Sequence, residues 1–238
     1  MKFGIGQSTA RVEDRRLLIG AGRYSDDIAP GQGLHVAFLR APYAHAHLLK
    51  IDLEAARQID GVYLVATQAD LDADHIGDVL CQYRPPLIDG GKMKLVSKPA
   101  MVRGINRHAG DIVAMVVADR QDTADSAIES INAEFEPMPA VTDIYEAMKD
   151  GAPQLYDCYP NNIAFEWGAG KLDETERAMN AAIEDGQKII EIDVVNSRVV
   201  INSLETRPMV AAPGAKDGTL DIWCGTQGVV GIAEQIAK

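Results

Sequence analysis

The chain has 238 residues, 35 acidic against 23 basic side chains and a formal net charge of −12. Its 47% hydrophobic content is too high for intrinsic disorder, and its length suits one large domain or two modest ones, with roughly 70–75% of the unfolded surface buried. No run reaches the ~18 apolar residues that a bilayer requires, the first residues lack the apolar stretch of a signal peptide, and the acidic balance opposes phosphate backbones, so neither membrane nor nucleic acid is an expected partner.

Cys81, Cys158 and Cys224 are too few and too scattered for a disulfide framework, and no Cys-x-x-Cys pair suggests zinc or thioredoxin-like chemistry. A reducing cytoplasm is the expected compartment. An iron–sulfur cluster, which takes four thiolates, has no home in this chain alone.

Residues 1–16 read as a polar arm leading into Leu17-Leu18-Ile19. Gly20, Gly22, Gly31 and Gly33 then bracket a run of turns. A strand is expected from Leu34, ended by Pro42, and a short helix over 53–58 with Asp52 as its N-cap. Gly61 stops that helix, and 62–66 reads as a strand. From Asp70 to His108 no period is sustained, so a long irregular excursion is expected.

Periodicity returns at Ile112–Ala118, a continuous apolar run suited to a strand buried on both faces. Asp122-Thr-Ala-Asp125 resembles a capping box opening a helix with Ala124, Ala127, Ile128 and Ile131 on one side. An outer strand over 132–136 follows, closed by Pro137 and Pro139, and the three elements read as a split α/β unit with a right-handed crossover. A domain boundary is expected between 140 and 165, where Asp150-Gly-Ala-Pro153 and Tyr159-Pro-Asn-Asn162 lie. Beyond it the sequence predicts a strand over 163–167, a helix over 173–184, a long strand over 188–200, a short strand over 219–223 and a helix from Gly228.

In this order of elements the chain resembles the N-terminal third of the molybdenum-hydroxylase large subunit, the superfamily of xanthine dehydrogenase, aldehyde oxidase and aerobic carbon monoxide dehydrogenase. Three blocks correspond to its α/β hammerhead domain. They are Leu18-Ile-Gly-Ala-Gly-Arg-Tyr-Ser-Asp-Asp-Ile28, Leu34-His-Val-Ala-Phe-Leu-Arg-Ala-Pro-Tyr-Ala-His-Ala-His47 with the Ile51-Asp52 and Gly61-Val62 turns, and Gly110-Asp-Ile-Val-Ala-Met-Val-Val-Ala118 continuing to Glu134-Phe-Glu-Pro-Met-Pro-Ala-Val141. Two more, Leu204-Glu-Thr-Arg207 and Trp223-Cys-Gly-Thr-Gln-Gly228, resemble the opening of its first molybdopterin-binding domain. The chain departs from the family where Gly-Glu-Pro is usual and Gly110-Asp111-Ile112 stands, and where Met-Glu-Pro-Arg is usual and Leu204-Glu205-Thr206-Arg207 stands.

The resemblance implies an α+β fold: an arm (1–16), an α/β hammerhead domain (17–145), a linker (146–162) and an incomplete α/β molybdopterin-binding domain (163–238). It implies hydroxylation or dehydrogenation of a small molecule, with a molybdopterin-type molybdenum cofactor in the complete enzyme. Electrons would leave to iron–sulfur clusters and FAD on partner chains or domains. The expected partners are a C-terminal molybdopterin-binding half, an iron–sulfur subunit and an FAD subunit. In the family the catalytic carboxylate lies in that C-terminal half, so no catalytic residue is assigned here and the chain alone is expected to be inactive. A non-catalytic hammerhead module for assembly or binding is the alternative.

Gln227 matches the family glutamine that hydrogen-bonds a molybdenum oxo ligand, and its neutral amide can donate without adding charge beside a metal. Gly225, Thr226 and Gly228 share that turn, whose free N–H groups before a helix suit an anion. The plainer reading of Gln227 is a cap for the helix that follows. Glu205 and Arg207 match a Glu-x-Arg pair, read as structural support beneath the cofactor loop or as a surface ion pair worth under about 1 kcal/mol. His45 and His47 would share a strand face but have no third metal ligand nearby, so surface histidines are the expectation and no metal site is assigned. Cys224 reads as a small buried side chain, and Gly4 and Gly6 do not form a dinucleotide fingerprint.

Overall fold

A computed structural model describes residues 6, 8, 10–28, 33–79, 81, 83–197, 199 and 201–237. In chain order the helices are α1 (Asp14–Leu18), α2 (Glu54–Arg57), α3 (Gln68–Ala73), α4 (Gln121–Glu129), α5 (Ile144–Ala147), α6 (Leu172–Glu184) and α7 (Val229–Ile236). The strands are β1 (His35–Arg40), β2 (Ala46–Asp52), β3 (Val62–Thr67), β4 (Ile105–Asn106), β5 (Ile112–Ala118), β6 (Asn132–Pro137), β7 (Met209–Pro213) and β8 (Leu220–Cys224). Among the described residues no helix is long and apolar enough to cross a membrane. The chain divides into two compact units, residues 34–195 with 234–238, and residues 1–33 with 196–233.

The larger unit is built on β5. Its apolar run is central in an antiparallel sheet of order β1-β5-β3, with Val36 opposite Val117 and Val65 opposite Val116. Val113, Ala114, Val116 and Ala118 are no more than 1% exposed. The small side chains let α4 lie close on β1 and β5: Ala124 and Ala127 are fully buried and join Ala37, Val65, Ala114, Val116 and Ala118 in one apolar cluster, with α2 contributing Ala56. A second antiparallel sheet has the order β4-β2-β6. Between the sheets, Val113 of β5, Ala41 and Val102 form a smaller cluster against Leu48, Ile51 and Phe135. Leu39 and Ile51 touch both clusters.

Several expectations need correction. β5 and β6 flank α4 as predicted, but they belong to different sheets, so no crossover within one sheet exists. The segment from 46 to 52 is the central strand β2, which the sequence reading passed over. The supposed capping box at Asp122 is not one. The helix starts at Gln121, and Asp122 instead pairs with Arg120 and accepts from the Thr123 N–H. The true capping box is Thr67-x-x-Asp70 at α3, where Asp70 accepts from the Thr67 N–H (2.7 Å) and hydroxyl (2.9 Å). These donors hold the Asp70 carboxyl below its ordinary pKa. Among its described residues the excursion after α3 is otherwise irregular, with a single bridge between Val79 and Lys98 before β4.

Helix α2 is shorter than expected and has Leu53, not Asp52, at its N-cap, although Asp52 one residue earlier accepts from the Glu54 N–H at 3.1 Å. The expected strand over 163–167 is not one. Its tie to the Asp70–His108 excursion is local, through the Ile88 N–H to the Glu166 carbonyl (3.1 Å) and Phe165 tilted against Tyr83. The long strand over 188–200 is also absent among its described residues, although Ile190, Ile192 and Val194 alternate along the sequence with Glu191 and Asp193. A strand exists only when its backbone groups find a ladder, and these three side chains stand 74–80% exposed. Gly4, Gly31, Val200 and Lys238 lie outside the described residues.

Val116 touches no water and packs in the main cluster. Val116→Ala is expected to cost about 2 kcal/mol, from lost transfer energy plus a residual cavity. Urea unfolding should show a lower midpoint with an unchanged slope.

Candidate functional site

The smaller unit holds the six residues singled out, four on Gln227's loop and the pair Glu205 and Arg207. β7 and β8 pair antiparallel from Met209 opposite Cys224 to Pro213 opposite Leu220. Gly225, Thr226, Gln227 and Gly228 therefore leave the end of β8 beside the start of β7 and run into α7. All four are exposed. The Gly228 N–H donates to the Thr226 hydroxyl oxygen at 3.1 Å. The side chain that supports the turn before α7 is thus Thr226, not Gln227, which leaves the glutamine amide at the surface.

Glu205 lies on the turn that enters β7. Its Oε1 accepts from both the N–H (3.0 Å) and the hydroxyl (2.8 Å) of Ser25, 180 residues earlier in the chain. The other carboxylate oxygen lies 3.4 Å from where a Cβ on Gly225 would stand. The Ser203 hydroxyl donates to the Glu205 carbonyl, and Arg207 takes a positive φ of 59°, so the turn is shaped on both sides of the carboxylate. Arg207 is exposed and makes no ion pair with Glu205 among the described residues.

Ser25 opens a 3-10 turn, Ser25–Ile28, that packs on β7 and β8. Asp27 closes that turn by accepting from the Tyr24 N–H (2.8 Å), and the Asp27 carbonyl accepts from Arg23 (3.2 Å). Ser25 itself is 7% exposed. Its role was missed from the sequence, because nothing local marks a serine whose partner lies so far along the chain.

The two donors on Oε1, the backbone N–H first, hold the Glu205 carboxyl below its ordinary value. The remaining candidates are structural. His45 is buried, and its Nδ1 donates to the Pro139 carbonyl at 3.0 Å. His47 lies in β2. Among the described residues no group of three or more His, Cys, Asp and Glu could hold a metal ion. Cys224 is half-buried at the end of β8.

Comparison with known proteins decides the family. Residues 19–139, half of the chain, match the model of the aldehyde oxidase and xanthine dehydrogenase a/b hammerhead domain. The chain belongs to that family. Residues 155–238 match the model of a molybdopterin cofactor-binding domain. The nicotine 6-hydroxylase large subunit of Paenarthrobacter nicotinovorans is 30% identical over 223 residues, 94% of this hammerhead-family chain and 26% of that protein. The carbon monoxide dehydrogenase large chain of Afipia carboxidovorans is 30% identical over 233 residues, 92% of this chain and 27% of that one. The solved structure of a Cu,Mo-CO dehydrogenase in its carbon monoxide reduced state superposes with a TM-score of 0.71 at 26% identity, covering 98% of this chain and 29% of that one. The chain spans about a quarter of the length of these relatives. The α+β fold expected from the resemblance, a hammerhead domain followed by part of a molybdopterin-binding domain, is the fold found.

Because the carboxyl of Glu205 titrates lower in the folded chain than in the unfolded one, its bonds to Ser25 contribute fully above the ordinary glutamate pKa. They are lost as the pH falls through the lowered folded value. The Ser25 amide proton should therefore titrate by NMR with a midpoint below 4.5, and a midpoint at or above that value would contradict the hydrogen bonds.

Proposed function

We propose that this chain is the N-terminal portion of a molybdenum-cofactor oxidoreductase acting on a small molecule, and that it requires further polypeptide for catalysis. The observation that carries this reading is one of burial. From 160 to 237 no described residue is buried, in a stretch that matches a cofactor-binding domain. Leu172, Met179 and Ile183 of α6 are 43–66% exposed, and Val229 and Val230 of α7 are 68–71% exposed. Such elements have no core of their own to offset the entropy of ordering them. Additional polypeptide, the C-terminal molybdopterin-binding half, would supply it.

The loop from Gly225 to Gly228 is the part of this chain that would meet the cofactor. Its fit is one of donor chemistry: it carries no charge, it is exposed, and Thr226 already satisfies the Gly228 N–H, so the Gln227 amide is available to donate. When bound, that cofactor supplies the two-electron chemistry. Gln227 would orient its metal end, while the backbone of Gly225 and Gly228 allows close approach. Glu205 supports the loop, and Arg207, exposed and unpaired with Glu205 among the described residues, shapes the turn through its backbone.

Iron–sulfur and FAD groups on partner chains or domains would carry the electrons away, and the compartment would be the cytoplasm. Relatives named for nicotine and for carbon monoxide both match this chain, over 94% and 92% of its length. The alternative of a non-catalytic assembly module has no specific observation in its favour.

The isolated chain should contain no stoichiometric molybdenum by metal analysis, whereas a complete large subunit that includes it should. In that complete subunit Gln227→Ala should lower activity by about a hundredfold, the scale of one lost electrostatic donor at a reacting centre. Stoichiometric molybdenum in the isolated chain, or full activity of the variant, would overturn the reading.

A further inference from the structure

We propose that Ser25 and Glu205 form a clasp that sets the position of the loop from Gly225 to Gly228, making Ser25 a positioning residue for Gln227. The inference rests on the reading that Gln227 meets the cofactor. Three separate pieces of chain converge on one carboxylate. The 3-10 turn at Ser25 gives two donors to Oε1, the turn at 203–207 carries the carboxylate itself, and the loop at Gly225 lies against it. Each piece is independently shaped. Asp27 closes the first, Ser203 braces the second, and Thr226 supports the third.

A hydrogen bond to an ionised acceptor is shorter and roughly twice as strong as a neutral one, and two on one oxygen fix its direction as well as its distance. With Oε1 committed to Ser25, the carboxylate cannot rotate freely, so its other oxygen stays against Gly225. A Cβ built on Gly225 would come 3.4 Å from that oxygen, so the carboxylate occupies the side of Gly225 on which a side chain would project. Gln227 is two residues on, along a short exposed loop whose other tie is local. The loop's placement therefore passes through Glu205, and Glu205's passes through Ser25.

The test is backbone order measured by 15N relaxation on the chain itself, without cofactor. In Glu205→Ala the order parameters of the Gly225 and Gly228 amides should fall well below those of the unaltered chain, into the flexible range under about 0.6. Ser25→Ala, which keeps the backbone donor, should give an intermediate fall. Glu205→Gln, which keeps an acceptor oxygen, should restore most of the order, a rescue that loss of general stability would not produce. The amides of β5 should be unchanged in all three. A loop as ordered in Glu205→Ala as in the unaltered chain would overturn the clasp. Failure of the cofactor reading is separate: the clasp would stand by relaxation while Gln227→Ala left the complete subunit fully active.

Discussion

Strand β5 is the constraint on which the larger unit depends, because it supplies residues to both apolar clusters. Ala114, Val116 and Ala118 face α4, while Val113 looks the other way, toward Ala41 and Val102. A strand with both faces covered must be apolar at every position, and its side chains must be small where a helix comes close. The alanines on both sides of the β5–α4 contact, Ala114 and Ala118 against Ala124 and Ala127, meet that requirement. A larger side chain at any of the four would force the helix away from the sheet, since close-packed interiors tolerate little added volume.

The region after residue 160 shows the opposite economy. It has the periodicity of structure without the burial that normally rewards it. α6 forms over nearly the residues predicted, because helical hydrogen bonds are closed within the segment. The described residues of the stretch from 188 do not form the predicted strand, because a strand's hydrogen bonds must be closed by another segment. The contrast separates what a local sequence can specify by itself from what depends on a neighbour.

The same distinction governs what was legible in the sequence. β5, α4 and β6 were readable from apolar runs and helical spacing, and Gly61 marked a real turn, with a positive φ and a Cβ position only 2.6 Å from the Asp119 carboxylate. Their division between two sheets was not readable, because pairing is non-local. β2 was missed for a related reason. Its residues Ala46 to Asp52 mix a buried alanine, a histidine, a lysine and an aspartate, a pattern set by neighbours on both edges rather than by simple alternation. The loop from Gly225 to Gly228 was found by resemblance. Glu205 was found the same way and read as support beneath the cofactor loop, and the ion pair that was the plainer reading gives way in the structure to bonds from Ser25.

That exchange of partner bears on the chemistry proposed for the loop. A carboxylate beneath a site for an anionic cofactor would ordinarily be a repulsive neighbour. An arginine could neutralise it, but would also leave a long cation competing for the same anion. Ser25 offers another arrangement: two neutral donors stabilise the ionised carboxylate and turn its most strongly bonded oxygen toward the 3-10 turn. The charge is retained, with the lone pairs of Oε1 engaged at Ser25 and Oε2 left on the Gly225 side. On the reading proposed above, the loop can then face the cofactor with only amide and hydroxyl groups, and it keeps the rigidity of a charge-assisted contact without presenting a competing ion.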